Sequence, residues 1–350
     1  VPTDPAISDA EASKETSVLG GEPLSTATTE APPPTVDLGQ GLEGQVVASR
    51  YRIIELLGRG GMGAVYRADH VHIKKSFALK ILHPELTHQK EAVKRFEREA
   101  IAAARIDHPN VATAIDFGNL PSGEFYLVLD YVQGQSLRSL LQQEQQLSEV
   151  RTIRISRQIA AALAAAHAAN IVHRDLKPDN VMLVDSNAET DFVKVLDFGI
   201  AKLRSEEVSN EPAITRFGTI FGTPEYMSPE QALGHTVDAR SDLYSLGIMM
   251  YEMLSGKTPF ADEQLVTVLT RQMTDQPAPL TFATPELAAI IMQLLEKKPD
   301  LRQASAEKLT LQLDRLVIDR FGEPQTEAAL SQRLLAIGTT DTLFVNTPNR

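Results

Sequence analysis

From Tyr51 onward, apolar side chains recur in short runs. These are Tyr51, Ile53, Leu56 and Leu57, then Ala64-Val65-Tyr66, then Phe77-Ala78-Leu79-Lys80-Ile81-Leu82, then Phe125 to Val132. Short apolar runs bounded by turn residues read as strands. Residues 88–106 differ: they are charged and alanine-rich, and Val93, Phe96, Ala100 and Ala103 keep helical spacing. Helical patterns then dominate, over 136–143, 148–169, 238–254, 262–273, 284–296 and 303–318. Two short strands interrupt them, Val181–Leu183 and Val193–Leu196. Strands early and helices late predict an α+β protein, with a small sheet lobe followed by a larger helical lobe.

Composition changes this picture at the amino end. Residues 1–44 are rich in Ser, Thr, Pro, Glu and Gly, carry Pro32-Pro33-Pro34 and lack aromatics. Such a segment cannot bury enough apolar surface to offset the entropy of ordering it, so a disordered acidic tail or linker is expected. The net charge of -12 is concentrated there: residues 1–45 hold eight acids against Lys14, leaving -5 for the rest. An acidic chain without a basic stripe is not expected to bind nucleic acid. There are no cysteines, hence no disulfide and no thiolate metal site, which fits a cytoplasmic location. No apolar run approaches the ~20 residues of a membrane span. Ala160 to Ala169, broken by His167, reads as a buried helix. The chain starts without Met, so a fragment of a longer protein, continuing into a membrane or sensor region, is one expectation.

The candidate chemistry lies in three places. His173-Arg174-Asp175-Leu176-Lys177-Pro178-Asp179-Asn180 offers a carboxylate to accept a hydroxyl proton, a lysine for a phosphate and an amide for a metal. Asp197-Phe198-Gly199 offers a second carboxylate. Phosphoryl transfer from a nucleotide needs this set. Upstream, Leu57-Gly58-Arg59-Gly60-Gly61-Met62-Gly63-Ala64-Val65 contains G-x-G-x-x-G. Alone that motif is equally an ordinary glycine-rich hairpin. A dinucleotide fold would need a helix at the last glycine, and a strand-like run follows instead. Lys80 sits between apolar neighbours in a strand, where burial demands an acidic partner; Glu91, Glu97 and Glu99 are the candidates.

The loop around Asp175 and the Asp197-Phe198-Gly199 triplet match protein-kinase signatures. The chain resembles the eukaryotic-like bacterial serine/threonine protein kinases from Tyr51 to about Val317. The resemblance implies a bilobal kinase-like fold. A small antiparallel sheet lobe with one main helix would span 45–132, a larger helical lobe 133–320, and a flexible extension 321–350. It implies ATP and Mg²⁺ (Mn²⁺ as an alternative) as cofactors and proteins as substrates. It makes Asp175 the base, Lys177 and Lys80 the phosphate-binding lysines, and Asn180 and Asp197 the metal ligands. It selects Glu99 as the partner of Lys80. It places adenine among Val65, Ala78 and Met182, with Leu129 behind and the backbone of Asp130 and Val132 as the hinge.

Asp197 to Glu230 becomes the activation segment. Glu230 is expected to pair with Arg302, and Asp242 to tether the catalytic loop. The hydroxyl of Thr223 is expected to touch that loop. Arg174 before the base points to a loop ordered by phosphate, with Thr215 and then Thr219 as the sites, modified in trans within a kinase homodimer. Departures from the family pattern are Phe77 and Leu79 in the lysine strand, Asp130 where Glu is frequent, and Ser228 for Ala. Two other readings compete. A pseudokinase typically loses the lysine, base or metal ligands, all present here. A small-molecule phosphotransferase does not account for the long segment closing in Ser228-Pro229-Glu230.

Overall fold

The computed structural model describes residues 42–185, 190–198 and 223–321. Thr215 and Thr219 lie outside the described residues, as do residues 1–41, most of the activation segment and the extension from 322.

Six strands form an antiparallel sheet: β1 (Val46–Val47), β2 (Tyr51–Gly60), β3 (Gly63–His70), β4 (Ser76–Leu82), β5 (Ala114–Asn119) and β6 (Phe125–Asp130), in the order β1-β2-β3-β4-β6-β5. Strand alternation sorts the residues of β4. Phe77, Leu79 and Ile81 are buried in the sheet's core with Ile53, Tyr66 and Val128. Ala78 and Lys80 therefore point to the opposite face. Val65 pairs with Lys80 across β3–β4, and Ala78 with Leu129 across β4–β6. Directly opposed residues share a face, so Val65, Ala78, Lys80 and Leu129 line one surface. Tyr131 and Val132, expected inside the last strand, lie beyond β6, which ends at Asp130. β5 was not expected from the sequence; its residues are mostly half-buried and show no alternation.

A short helix α1 (Pro84–Thr87) leads into α2 (Lys90–Arg105). The inner face of α2 buries Phe96, Glu99, Ala100 and Ala103. Phe96 and Ala100 pack with Leu82 and Leu127 under the sheet.

The second lobe is helical: α3 (Leu137–Glu144), α4 (Glu149–Ala168), α5 (Pro229–Leu233), α6 (Ala239–Ser255), α7 (Leu265–Thr274), α8 (Pro285–Leu294) and α9 (Ala306–Phe321). A three-stranded sheet, β7 (Gln135–Ser136), β8 (Val181–Val184) and β9 (Phe192–Val195), lies between α4 and the cleft residues. Ser136 and Ser148 cap α3 and α4 through their side chains. α6 is buried all round from Ser241 to Leu254, the mark of a central core helix. At Gly247 a Cβ would meet Leu294 Cβ at 2.7 Å, so glycine permits α6 and α8 to touch closely. α7 starts at Leu265 rather than 262, because Asp262 accepts the Gln264 N–H and terminates the preceding turn. Among the described residues no helix is long and apolar enough to cross a membrane.

Candidate active site

The β2–β3 hairpin carries the glycine run, and its four glycines are not equivalent. A Cβ on Gly63 would lie 2.0 Å from the Ile81 carbonyl oxygen, so β4 excludes any other residue there. Gly58 and Gly61 have nothing within 4 Å, and Gly60 has one atom at 4.0 Å. Three glycines thus border open space, where a bare backbone can approach a ligand.

Below this hairpin Lys80 makes an ion pair with Glu99 and lies 3.6 Å from Asp197 Oδ1. Glu99 is 4% exposed, whereas Glu91 is exposed and Glu97 is half-buried. An offset of two residues, roughly 200° around the helix axis, thus decides whether Glu97 or Glu99 faces the sheet. Burial disfavours the Lys80 charge, but Asp197 and Glu99 outweigh it and hold the ammonium above the ordinary lysine range.

The catalytic-loop motif follows α4 and ends in the 3₁₀ turn Pro178–Asn180, which runs directly into β8. Val181 of β8 pairs with Val195 of β9, so the hairpin brings Asn180 and Asp197 to the same end. Lys177 Nζ donates to Asp175 Oδ2 at 3.1 Å. Asn180 Nδ2 donates to the Asp175 carbonyl at 2.9 Å, and the Asn180 backbone carbonyl accepts from Leu196 N at 2.8 Å. With its amide nitrogen committed, Asn180 presents Oδ1 as its remaining side-chain donor atom. Asp197 adds a carboxylate that is 42% exposed. This all-oxygen set suits a hard divalent cation.

The backbone here is strained. Arg174 has φ 65° and Asp197 φ 47°, the left-handed region that costs a non-glycine residue about 1–3 kcal/mol. Buried Asp242 on α6 offsets the first, accepting from His173 N and Arg174 N, each at 2.8 Å. His167 on α4 donates to the same carboxylate at 2.8 Å.

Several organising contacts were not expected from the sequence. His173 is fully buried, and its Nε2 donates to the Leu196 carbonyl at 3.0 Å, joining the catalytic loop to the Asp197 segment. Its ring lies 4.8 Å from Phe198, and burial pushes its pKa down, keeping it neutral. Gln231 donates to the Arg174 carbonyl at 2.8 Å. Thr223 caps the turn Pro224–Tyr226 through its backbone carbonyl, which accepts from Tyr226 N at 3.2 Å. Ser228 caps α5, forming a capping box with Gln231, a role alanine lacks.

Glu230 and Arg302 form a two-bond ion pair, both contacts at 2.8 Å. Of the residues expected around adenine, Val132, Leu129 and Met182 are half-buried, and Asp130 accepts from Lys75 at 3.3 Å. Met182 alternates with buried Val181 and Leu183 and so stands outside the helical core. An open pocket of about 350 Å³ adjoins the Pro224–Tyr226 turn, lined among others by Arg138, Thr223, Glu225, Glu252 and Lys257.

The model of the family described as "Protein kinase domain" matches residues 51–312. The serine/threonine-protein kinase pkn3 of Myxococcus xanthus is 43% identical over 276 residues, covering 77% of this chain and 50% of that protein. The serine/threonine-protein kinase PknB of Mycolicibacterium smegmatis is 37% identical over 279 residues, covering 78% of this chain and 44% of that protein. This chain thus spans half or less of the length of these relatives. The crystal structure of a variant kinase domain of Mycobacterium tuberculosis PknI matches with a TM-score of 0.58 and 27% identity, covering 78% of this chain and 97% of that one. With the family match over most of its length, the chain belongs to the protein kinase family, and its relatives are the eukaryotic-like serine/threonine kinases of bacteria.

Proposed function

We propose that this chain transfers the γ-phosphoryl group of MgATP to serine and threonine hydroxyls of protein substrates. The convergence of Lys80–Glu99, Asp197, Asn180 and the Asp175–Lys177 pair at one cleft carries the reading. The glycine hairpin covers the phosphates with backbone N–H groups, and Lys80, fixed by Glu99, pairs with their oxygens. Val65, Ala78 and Met182 enclose adenine, Leu129 closes the pocket, and the backbone of Asp130 and Val132 bonds the base edge. Asp175 orients the acceptor hydroxyl and takes its proton as the oxygen–phosphorus bond forms and ADP departs. Lys177 neutralises charge on the moving phosphoryl group. Asn180 and Asp197 would hold the divalent cation, Mg²⁺ before Mn²⁺, which supplies charge neutralisation at the phosphates.

Glu230–Arg302 anchors the far end of the activation segment, and Asp242 holds the catalytic loop. Arg174 is the residue that a phosphate on Thr215 or Thr219 would engage, the phosphate being placed by a second copy of the chain. The reaction takes place in the cytoplasm. Incubation with labelled MgATP and a generic basic protein, followed by phosphoamino-acid analysis, tests the reading. Label in phosphoserine or phosphothreonine supports it; label confined to small molecules refutes it.

A further inference from the structure

The turn Pro224–Tyr226 is held from below by a buried hydrogen-bond relay that begins at a lysine remote from the cleft. Gln272 on α7 is fully buried and donates from Nε2 to the carbonyls of Glu225 at 2.6 Å and Pro224 at 3.3 Å. Ser245 holds the next carbonyl, that of Tyr226, at 2.7 Å. With its nitrogen facing two carbonyls, Gln272 turns Oε1 the other way, where it accepts from the Tyr244 hydroxyl at 2.6 Å. That hydroxyl has spent its one proton, so it can only accept from the next donor. The donor is Lys297 Nζ at 3.1 Å.

Lys297 also donates to the carbonyls of Gln272 at 2.9 Å and Arg271 at 3.4 Å. Both belong to the last turn of α7, where helix carbonyls lack internal partners and a cation is favoured. The ammonium stands 4.0 Å from the Phe260 ring centroid and 5.5 Å from that of Tyr244. One group thus closes α7, α6 and the segment after α8 around the turn. None of the proposed nucleotide-binding residues belongs to this relay.

Arg138 ties this turn to the catalytic loop, donating to the Tyr226 hydroxyl at 2.5 Å and to Asp179 at 3.3 Å, and the open pocket lined by Thr223, Glu225 and Tyr226 lies beside it. We propose that Lys297 is a positioning residue for the protein acceptor: acting through Tyr244 and Gln272, it fixes the Pro224–Tyr226 turn, and the acceptor chain docks at the pocket beside that turn. The inference rests on the kinase reading above and assigns the acceptor side of that site.

The groups facing Lys297 give the relay a pH dependence. Burial is the largest influence and, with Arg302, disfavours the charge; Asp275 and Glu296 favour it; Tyr244 and Arg271 complete the surroundings. The balance pulls the ammonium down to about 8. Protonated, it has three hydrogens for three acceptors; neutral, it has two and one contact is lost.

The test is steady-state kinetics with a fixed threonine-containing peptide, varying peptide and MgATP separately. Lys297→Met is expected to raise the peptide KM about three- to tenfold, the size of one or two net hydrogen bonds, with the MgATP KM unchanged. In the wild type the peptide KM should climb between pH 7 and pH 9. In Lys297→Met it should stay flat and high, and in Lys297→Arg flat and low. Tyr244→Phe, which deletes only the hydroxyl, should reproduce the rise and covers the case in which Lys297→Met does not fold. A peptide KM unchanged in both variants, or one that rises together with the MgATP KM, overturns the inference and leaves the kinase reading standing. A wild type that phosphorylates nothing takes both down.

Discussion

Replacing Arg302 with leucine should be among the most damaging single changes in the helical lobe. The Arg302 side chain is fully buried and donates to five acceptors: both oxygens of Glu230 and the carbonyls of Arg240, Glu296 and Lys297. Leucine removes all five and leaves Glu230, itself 6% exposed, with Ser241 as its remaining side-chain partner. Stranding one member of a buried ion pair costs about 3–5 kcal/mol. For a domain of this size that is a fall of roughly 6–20 °C in Tm. The double variant Arg302→Leu/Glu230→Leu should recover part of the loss, because no charge is left unpaired.

The loss should also depend on pH. Burial would raise the Glu230 carboxyl, but the hydrogen bonds and charge of Arg302 outweigh it and hold it below its ordinary value. The stabilisation it brings is present above the unfolded value of 4.5 and is lost as pH falls through the lower folded value. Without Arg302 burial prevails, the folded carboxyl titrates above 4.5, and the deficit of the variant shrinks as pH drops toward that point. Urea unfolding of wild type, both single variants and the double at pH 7 and pH 5 makes the measurement. A single-variant loss below about 1 kcal/mol, in the range of an exposed pair, would refute the reasoning, as would a double variant less stable than either single one.

Lys80→Met should reduce phosphoryl transfer to background, since on the proposed reading the residue acts on nucleotide; it should also lower Tm, because it strands buried Glu99, while circular dichroism at 25 °C still shows a folded domain; near-normal autophosphorylation would contradict this. Gly63→Ala should destabilise the domain, because its Cβ would sit 2.0 Å from the Ile81 carbonyl, whereas Gly61→Ala should leave Tm within about 0.5 kcal/mol equivalent and be felt only in nucleotide affinity. A chain beginning at Gly41, which keeps Leu42 packed in the sheet's core, should keep nearly full turnover on an added acceptor, and a folded but inactive truncation would overturn the spacer reading of the tail. Thr215→Ala/Thr219→Ala together should lower activity, with mass spectrometry of the wild type showing phosphate on one of the two; unchanged activity would remove loop phosphorylation as the switch.

The motifs were legible because each is contiguous. The glycine hairpin, the Asp175 loop and the Asp197 segment each keep their spacing within one loop, so residue order alone announces them. The long helices were legible for the same local reason, and observed limits such as Lys90–Arg105 lie within two residues of the expected 88–106. Glu99 is an intermediate case: helical phase favoured it, yet only the packing of α2 against β4 brings it to Lys80. What stayed hidden is non-local. Gln231 reaches Arg174, His173 reaches Leu196, and Lys297 reaches Gln272 through chain separations that no periodicity encodes.

The role proposed for Asp175 is phosphoryl transfer to a hydroxyl. It is tested most directly by single-turnover transfer from labelled MgATP to a threonine peptide, wild type beside Asp175→Asn, with MgATP affinity measured in parallel. Rapid label on the wild-type peptide is expected, with a loss of about 10²–10⁴-fold in the variant, the range of a positioned base, at unchanged nucleotide affinity. Transfer at the wild-type rate by Asp175→Asn, or a wild type that binds MgATP and labels no hydroxyl, would contradict it.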